Sequence, residues 1–226
     1  MSSVSIPAES TASSLLAAQS LRGRVLKRGG DIVFSLLVLS LGSPLFLLLA
    51  VLVKLSSRGS VFYRQRRIGR GYKGFGCLKF RTMRRDADRV LAALLEADPK
   101  LRAEFERDHK LKRDPRITPL GKFLRRSSLD ELPHFINVLR GEMSVVGPRP
   151  IVWDELRRYG RNMDEVLSVR PGLTGLWQVS GRNNLTYRTR VRLDLTYVRQ
   201  RNFWLDLGIV LRTIGVVLLP MDRGAY

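Results

Sequence analysis

Residues 127–150, SSLDELPHFINVLRGEMSVVGPRP, are the stretch around which the chain is organised. Two adjacent carboxylates, Asp130 and Glu131, precede an apolar segment that ends at Gly141, and this pattern is typical of one short helix. A Gly-Pro-Arg-Pro turn that contains Arg149 follows this predicted helix. We interpret the stretch as a candidate active site.

The start of this helix decides the environment of the two carboxylates. Ser128 with Glu131 three residues later fits a capping box. Pro133 conflicts with that start because its missing N–H would cost an intrahelical hydrogen bond. A helix whose first regular turn begins nearer Leu132 is therefore the alternative prediction. Either start puts Asp130 at the positive end of the helix dipole, which favours its ionised form and a bound anion. This position suits a carboxylate nucleophile, and helix capping is the alternative role for both side chains.

The composition points to an anionic partner. The 226 residues include 40 basic and 20 acidic side chains, for a net charge of +20. Such an excess indicates nucleic acid, a phospholipid surface or a phosphorylated substrate. The 44% hydrophobic content excludes a disordered chain, and the length fits one domain. The single cysteine, Cys77, rules out an internal disulfide, and neither histidine has a partner at zinc-ligand spacing.

An uncharged segment, residues 32–53, is long enough to span roughly 30 Å as a helix. Ser43 and Pro44 interrupt it near the middle, where proline removes a backbone hydrogen bond and serine can bond a freed carbonyl. Both flanks are basic, and the positive-inside rule puts both in the cytoplasm. The sequence therefore favours a re-entrant membrane helix over a straight, proline-kinked span, which is the alternative. Asp31, at the start, either caps the helix or pairs with nearby arginines.

The remaining pattern predicts an α+β chain, mostly helical with a small β-hairpin. The hairpin joins a strand from residue 61 to a strand over residues 77–80. Predicted helices follow over residues 87–97, 99–110 and 188–200, with another after Thr118-Pro119. Residues 203–219 predict an interfacial amphipathic helix, with Trp204 at the headgroup level.

These elements divide the chain into three regions. We predict a mobile tail (1–21), a re-entrant membrane helix with basic flanks (22–58) and a cytoplasmic catalytic domain with an interfacial C-terminal helix (59–226). Residues 176–179 predict a short strand. Asp194 lies in the predicted helix over 188–200. It has either a role in the site or a structural ion pair with a nearby arginine.

Four motifs occur in a fixed order after the hydrophobic segment broken at Ser43-Pro44. They are Lys79-Phe80-Arg81-Thr82-Met83, Asp130-Glu131-Leu132-Pro133, Gly147-Pro148-Arg149-Pro150 and Arg170-Pro171-Gly172-Leu173-Thr174-Gly175. In this order they resemble the bacterial sugar transferases, which are monotopic phosphoglycosyl transferases, over about residues 24–219. One position differs, since this chain has Gly30 before Asp31 where that family usually has an aromatic residue.

The resemblance implies the transfer of a sugar-1-phosphate from a UDP-sugar to undecaprenyl (polyprenol) phosphate, with release of UMP. It implies that Asp130 is the nucleophile and that Asp130 and Glu131 bind Mg²⁺, with Mn²⁺ as the alternative metal. It also places the enzyme on the cytoplasmic face of the bacterial inner membrane, in contact with anionic phospholipid, at the initiating step of exopolysaccharide or related glycoconjugate synthesis. The candidate phosphate- or substrate-binding residues are Lys79, Arg81, Arg149, Arg170 and Arg182.

Several alternatives stay open. A non-catalytic, membrane-anchored basic protein would explain the charge, but no base-reading signature or aromatic stacking platform favours nucleic acid as a partner. A conventional glycosyltransferase would release a nucleoside diphosphate instead of a monophosphate. For most of the arginines after residue 64, a lipid-facing basic surface is the alternative to a site. The sequence names neither the sugar nor the oligomeric state, for which a homodimer is one option.

Overall fold

The computed structural model describes residues 21–108, 111, 113–181 and 184–218. They form an α+β, mostly helical fold with two small two-stranded sheets. The helices are α1 (Leu21–Leu41), α2 (Ser43–Ser56), α3 (Ala87–Ala97), α4 (Pro99–Asp108), α5 (Pro119–Ser127), α6 (His134–Leu139), α7 (Leu156–Tyr159), α8 (Met163–Val166), α9 (Leu176–Ser180), α10 (Tyr187–Gln200) and α11 (Phe203–Leu218). The strands are β1 (Phe62–Ile68), β2 (Gly74–Phe80), β3 (Ser144–Val146) and β4 (Gly172–Thr174). The predicted N-terminal tail lies outside the described residues, except for Leu21, which begins α1.

The apolar segment is broken where the sequence predicted a break. Of the helices described, none alone has the length and apolarity to cross a bilayer; α1 and α2 reach that composition only together, and they are bent by 66°. Pro44 lies in the first turn of α2, where its missing N–H costs nothing, and the Ser43 hydroxyl donates to the Ser40 carbonyl over 2.8 Å. The predicted rebonding of a freed carbonyl by Ser43 is thus confirmed.

The two arms of the bent pair pack on different parts of the fold. Helix α1 lies against α6, with Phe34 and Phe135 in contact, whereas α2 buries Leu49 and Val53 against β2 and α5. Their opposite faces remain apolar and exposed: Leu41 at the bend is 81% exposed. An exposed apolar surface of this kind is typical of a membrane contact.

Asp31 joins α1 to the strand that leads to the Gly-Pro-Arg-Pro turn. Its buried carboxylate accepts hydrogen bonds from the Ser144 hydroxyl over 2.7 Å and from the Val145 N–H over 3.1 Å, and Lys27 lies 3.6 Å away. Because α1 begins well before Asp31 and the cationic partner is a lysine, both sequence-based alternatives, helix capping and arginine pairing, are wrong. Lys27 also forms a 2.8 Å ion pair with Asp206 of α11.

The hairpin and most of the predicted helices are confirmed. Strands β1 and β2 pair antiparallel and are longer than predicted, α3 has the predicted bounds, and the Thr118 side chain caps α5 ahead of Pro119. Helix α4 is described as far as Asp108 and α11 as far as Leu218, so the last predicted residues of each lie outside the described ranges.

The predicted strand over residues 176–179 is wrong, because these residues lie in α9. The strand at this place is β4, which pairs parallel with β3. Close backbone packing explains the difference: a Cβ added at Gly172 would lie 2.1 Å from the Gly147 nitrogen, so only glycine lets the two motifs approach. The pairing joins the Gly-Pro-Arg-Pro turn to the Arg170–Gly175 motif, as the hydrogen bond from Gly147 N–H to the Thr174 carbonyl shows.

We predict that Asp31→Ala destabilises the fold strongly. The substitution leaves the buried Ser144 hydroxyl and Val145 N–H without their acceptor, which should lower the free energy of unfolding by about 3 kcal/mol. Denaturant unfolding of the detergent-solubilised protein measures the change. Asp154→Ala, at an exposed aspartate, is the control and should change stability by less than about 0.5 kcal/mol. Equal stability of the two variants would contradict the role of Asp31.

Candidate active site

The two carboxylates lie on a tight turn between α5 and α6. Ser128 ends α5 in a left-handed conformation, φ 57°, and a single 3₁₀ turn, Leu129–Glu131, follows. The Ser128 side chain forms no capping hydrogen bond, so the predicted capping box is wrong. The first regular helical turn starts at His134, with Pro133 at the position before it. Pro133 thus lies where its missing N–H is harmless.

Glu131 is held by Lys79. The Lys79 ammonium, at the end of β2, donates to Glu131 Oε1 over 2.6 Å. Although burial acts in the opposite direction, the charge and hydrogen bond of Lys79 hold the pKa of Glu131 at about 2, and the charge of Arg149 contributes. Glu131 is therefore an anion at every physiological pH. The Glu131 side chain as a whole is 35% exposed.

Asp130 has the opposite environment. The residue is 7% exposed, and burial raises its pKa to about 6, against the charges of Lys79 and Arg125. The adjacent charge of Glu131 acts in the same direction as burial. We expected the helix start to favour the ionised form. The direction of the pKa shift shows that this expectation is wrong: the regular helix begins only at His134, and burial penalises the charged carboxylate. At pH 7 Asp130 is mostly ionised but more basic than an ordinary aspartate.

Arg125 belongs to the site, although the motifs did not single it out. Its Nε donates to the Thr82 hydroxyl over 3.0 Å, and its charge acts on Asp130. Helix α5 approaches the Lys79–Met83 motif closely because residue 121 is glycine: a Cβ there would lie 2.0 Å from the Thr82 carbonyl oxygen. The sequence contained only a weak indication of this role: Arg125 lies on the preceding helix, five residues before the candidate nucleophile.

Asn137 aligns the strand that carries Lys79 with the helix that follows Glu131. The Leu78 N–H donates to Asn137 Oδ1 over 2.9 Å, and Asn137 Nδ2 donates to the Gly76 carbonyl over 2.8 Å. The side chain is fully buried, so its hydrogen bonds to β2 are protected from water. The register between β2 and α6 is thereby fixed, and with it the Lys79–Glu131 pair.

Arg149 reaches the same site from the Gly-Pro-Arg-Pro turn. The Gly172 N–H donates to the Pro148 carbonyl over 2.7 Å and holds the turn in place. The Arg149 guanidinium lies 5.8 Å from the centre of the Trp177 ring, and its charge contributes to lowering the pKa of Glu131. Lys79, Arg125 and Arg149 thus surround the two carboxylates with positive charge from three separate segments.

Two of the other predicted phosphate-binding residues, Arg81 and Arg170, contact backbone carbonyls. Arg81 donates to the Ser57 carbonyl over 2.6 Å and to the Val53 carbonyl over 3.3 Å, at the end of α2. Arg170 donates to the Gly141 carbonyl over 2.7 Å, beyond the end of α6. Arg182 lies outside the described residues. Substrate binding by these three arginines stays a prediction.

Two buried groups next to the site, His134 and Cys77, are neutral at pH 7. His134 Nε2 lies 3.0 Å from Cys77 Sγ; burial lowers the pKa of the histidine to about 4 and raises that of the thiol to about 11. Asp194, for which an arginine ion pair was the alternative, accepts a hydrogen bond from the Tyr159 hydroxyl over 3.0 Å. No group of three or more His, Cys, Asp or Glu side chains suited to a metal occurs in the parts of the chain that the structure describes.

The fold and the site together define a class: a protein with a bent apolar helix pair that carries a basic, two-carboxylate centre suited to phosphorylated substrates. The bacterial sugar transferase family matches residues 22–220, and the chain belongs to that family.

Three relatives show how the similarity is distributed. An uncharacterized sugar transferase of Haemophilus influenzae is 54% identical over 91% of this chain and 43% of its own length. Exopolysaccharide production protein ExoY of Sinorhizobium fredii is 50% identical over 90% of this chain and 89% of its own. Undecaprenyl-phosphate galactose phosphotransferase of Salmonella typhimurium is 51% identical over 90% of this chain and 42% of its own. The chain thus spans less than half the length of two of these relatives and most of ExoY.

We predict that Asp130→Asn stabilises the protein above pH 6. The pKa of Asp130 is about 6 in the fold, against an ordinary value of 3.8, so ionised Asp130 costs up to about 3 kcal/mol once both folded and unfolded states are ionised. The cost declines as the pH falls through 6 and disappears below about 3.8. Thermal unfolding of the parent and the variant from pH 4 to pH 8 should show a gain that grows with pH. The control Asp154→Asn should show no such trend; an equal gain at pH 4 and pH 8 for Asp130→Asn would contradict the buried-charge explanation.

Proposed function

We propose that this protein transfers a sugar-1-phosphate from a UDP-sugar to undecaprenyl phosphate, through a covalent phosphosugar on Asp130. The observation that carries the proposal is the division of the carboxylate pair: a buried, basic Asp130 beside an anionic Glu131 that Lys79 holds at 2.6 Å. A basic carboxylate surrounded by cations is suited to attack a phosphoanhydride. The names of its relatives, a galactose phosphotransferase and an exopolysaccharide production protein, support the same reaction class.

The reaction takes place in two displacements at one phosphorus atom. In the first, an Asp130 carboxylate oxygen attacks the β-phosphorus of the donor, the bond from that phosphorus to the bridging oxygen breaks, and UMP leaves. In the second, an oxygen of the lipid phosphate attacks the same phosphorus, the bond to Asp130 breaks, and the lipid-linked diphosphate sugar is released. Both steps conserve atoms and charge, and the carboxylate is regenerated.

The cations around Asp130 have separate tasks in this reaction. Arg149 and Arg125 are suited to grip phosphate oxygens, because guanidinium binds them in a bidentate way. Lys79 keeps Glu131 in place and adds charge next to the nucleophile. Their combined charge offsets the repulsion between a carboxylate and the donor's diphosphate.

The carboxylate pair also fits Mg²⁺. Magnesium is commonly bound by one or two carboxylates together with substrate phosphates, and a buried carboxylate with a raised pKa is one that a cation stabilises. Asp130 and Glu131 would hold the ion, or Mn²⁺ in its place. When bound, it supplies positive charge that neutralises the phosphate oxygens.

The bent helix pair suggests how the site meets its lipid substrate. In the proposed orientation α1 and α2 enter the inner membrane of the bacterium from the cytoplasmic face, turn at Ser43-Pro44 and return. The exposed apolar faces of both helices would contact lipid, and the exposed Phe203 and Trp204 at the start of α11 would lie at the headgroups. This orientation keeps both basic flanks, and the catalytic residues, in the cytoplasm.

A covalent phosphosugar on Asp130 is the principal prediction. The parent protein, incubated with a UDP-sugar and no lipid acceptor, should gain the mass of a hexose phosphate and release a stoichiometric amount of UMP. Asp130→Asn should show neither change, because the amide is not a nucleophile, whereas the exposed-site control Asp154→Asn should behave like the parent. Intact-mass spectrometry and chromatography of the nucleotide measure the two products. An Asp130→Asn protein that turns over at the parent rate would exclude this mechanism, and release of UDP would favour a conventional glycosyltransferase.

The re-entrant orientation predicts a pattern of cysteine accessibility. Arg22→Cys and Ser60→Cys, at exposed positions before and after the helix pair, should both react with a membrane-impermeant maleimide from the cytoplasmic side. Leu41→Cys, at the bend, should react from neither side because lipid covers it. The buried Cys77 keeps the background of the parent low. Labelling of residues 22 and 60 from opposite sides would show that the pair spans the membrane instead.

A further inference from the structure

A cavity of about 510 Å³ lies where α2 ends, apart from the residues that carry the proposed chemistry. Its wall is formed by the end of α2, the loop before α3 and the loop before α5. The lining includes Ser56 and Ser57 from the first segment and Thr118, the N-cap of α5, from the third. Two helices of nine or more residues, α3 and α5, begin at this wall, and their N-termini add positive potential to it.

The cavity is basic. Arg58, Arg84 and Arg85 line it, and Asp86 is the single carboxylate among its lining residues. Asp86 is already engaged by Arg84 at 3.3 Å and by Arg89 at 3.6 Å. Within the described ranges, neither Arg58 nor Arg85 forms an ion pair with a carboxylate. The cavity therefore has two guanidinium groups available for an anion.

The loop that carries Arg58 is held in place by its neighbours. Arg81 donates to the Ser57 carbonyl over 2.6 Å, and Lys54 donates to the Gly59 carbonyl over 3.2 Å. Gly59 adopts φ 130°, and a Cβ there would lie 2.5 Å from the Arg81 guanidinium. These contacts give Arg81 a structural role at the rim of the cavity, next to the last turn of α2.

An exposed apolar track leads along α2 to this rim. Leu48, Leu52 and Leu55 recur at helical spacing and remain exposed, Leu55 by 77%, and Ser56 of the cavity wall follows directly. An anion site that lies directly beyond an apolar helix face fits a ligand with a charged head and a long hydrocarbon chain. A soluble nucleotide has no hydrocarbon chain that would pack against these exposed leucines.

We propose that the cavity receives the phosphate head of the polyprenyl phosphate acceptor, whose chain lies along the exposed face of α2. This inference rests on the proposed function and names the acceptor site for it. A phosphate monoester carries a charge of about −2 at neutral pH, which matches Arg58 and Arg85.

A chain of three residues, Thr118, Thr82 and Arg125, connects the cavity wall to the nucleophile. The Thr118 hydroxyl in its wall lies 3.4 Å from the Thr82 carbonyl oxygen, and the Thr82 hydroxyl accepts a hydrogen bond from Arg125, which neighbours Asp130. The acceptor thus waits beside the phosphosugar without occupying the donor's position.

The test compares two double variants of the full chain in nanodiscs of neutral phospholipid. Arg58→Ala/Arg85→Ala removes the two available guanidinium groups, and Arg161→Ala/Arg192→Ala removes two exposed arginines of segments that do not line the cavity. We expect the first variant to raise the KM for undecaprenyl phosphate at least about tenfold, the effect of losing one or two charge-assisted hydrogen bonds. Its kcat, and its formation of phosphosugar on Asp130 from donor alone, should match the parent. The control should match the parent in all three quantities.

Three results would overturn the inference. The KM for undecaprenyl phosphate could stay unchanged; the KM for the UDP-sugar could rise instead, which would assign the cavity to the nucleotide; or binding to phosphatidylglycerol vesicles could fall with an unchanged acceptor KM, which would assign it to bulk phospholipid. Failure of the proposed function is distinguishable from all three, because the parent itself would then form no phosphosugar from donor alone.

Discussion

The buried carboxylate of Asp31 is the constraint on which the rest of the architecture depends. A charge removed from water is tolerated only with close partners, and Asp31 finds them in Ser144, Val145 and Lys27. Ser144 and Val145 belong to β3, which runs directly into the turn that carries Arg149. A shift of α1 relative to β3 would leave the carboxylate without its hydrogen bonds, so Asp31 couples the position of α1 to that of the turn that carries Arg149.

A second consequence of burial is that neighbouring carboxylates acquire different chemistry. Lys79 bonds to Glu131 and only lies near Asp130, so one carboxylate is strongly stabilised as an anion while the other is left basic. Nucleophilicity increases with basicity, and an aspartate with a pKa of about 6 is a better nucleophile than an ordinary one while it remains mostly ionised at pH 7. The division depends on the register of β2 against α6, which Asn137 fixes.

Local sequence patterns predicted those features that local physics determines. The break at Ser43-Pro44, the hairpin, α3 and the Thr118-Pro119 helix start all follow from missing N–H groups, side-chain caps or periodicity over a few residues. Tertiary contacts decided the rest. Asp31 has hydrogen-bond partners more than a hundred residues away. The strand lies at residues 172–174 and not at 176–179, because Gly172 allows close backbone packing against Gly147. Of the site, sequence motifs supplied Asp130, Glu131, Lys79 and Arg149; Arg125 and the cavity depend on how α5 packs against the segment after β2, which no short pattern encodes.

The geometry of two successive displacements explains why an acceptor site separate from the nucleophile is useful. In the proposed mechanism, in-line attack by Asp130 would expel UMP on the opposite side of the phosphorus, and in-line attack by the lipid phosphate would have to come from that same side. Nucleotide and acceptor would therefore use one position in turn and would not occupy it together. A lipid phosphate held in the cavity beyond Thr118 and Thr82 would be able to replace UMP as soon as UMP leaves, before water reaches the proposed phosphosugar. In that arrangement the end of α2 would connect the membrane with the aqueous site. Its apolar face would follow the lipid chain, and the arginines beyond its last turn would hold the phosphate that attacks next.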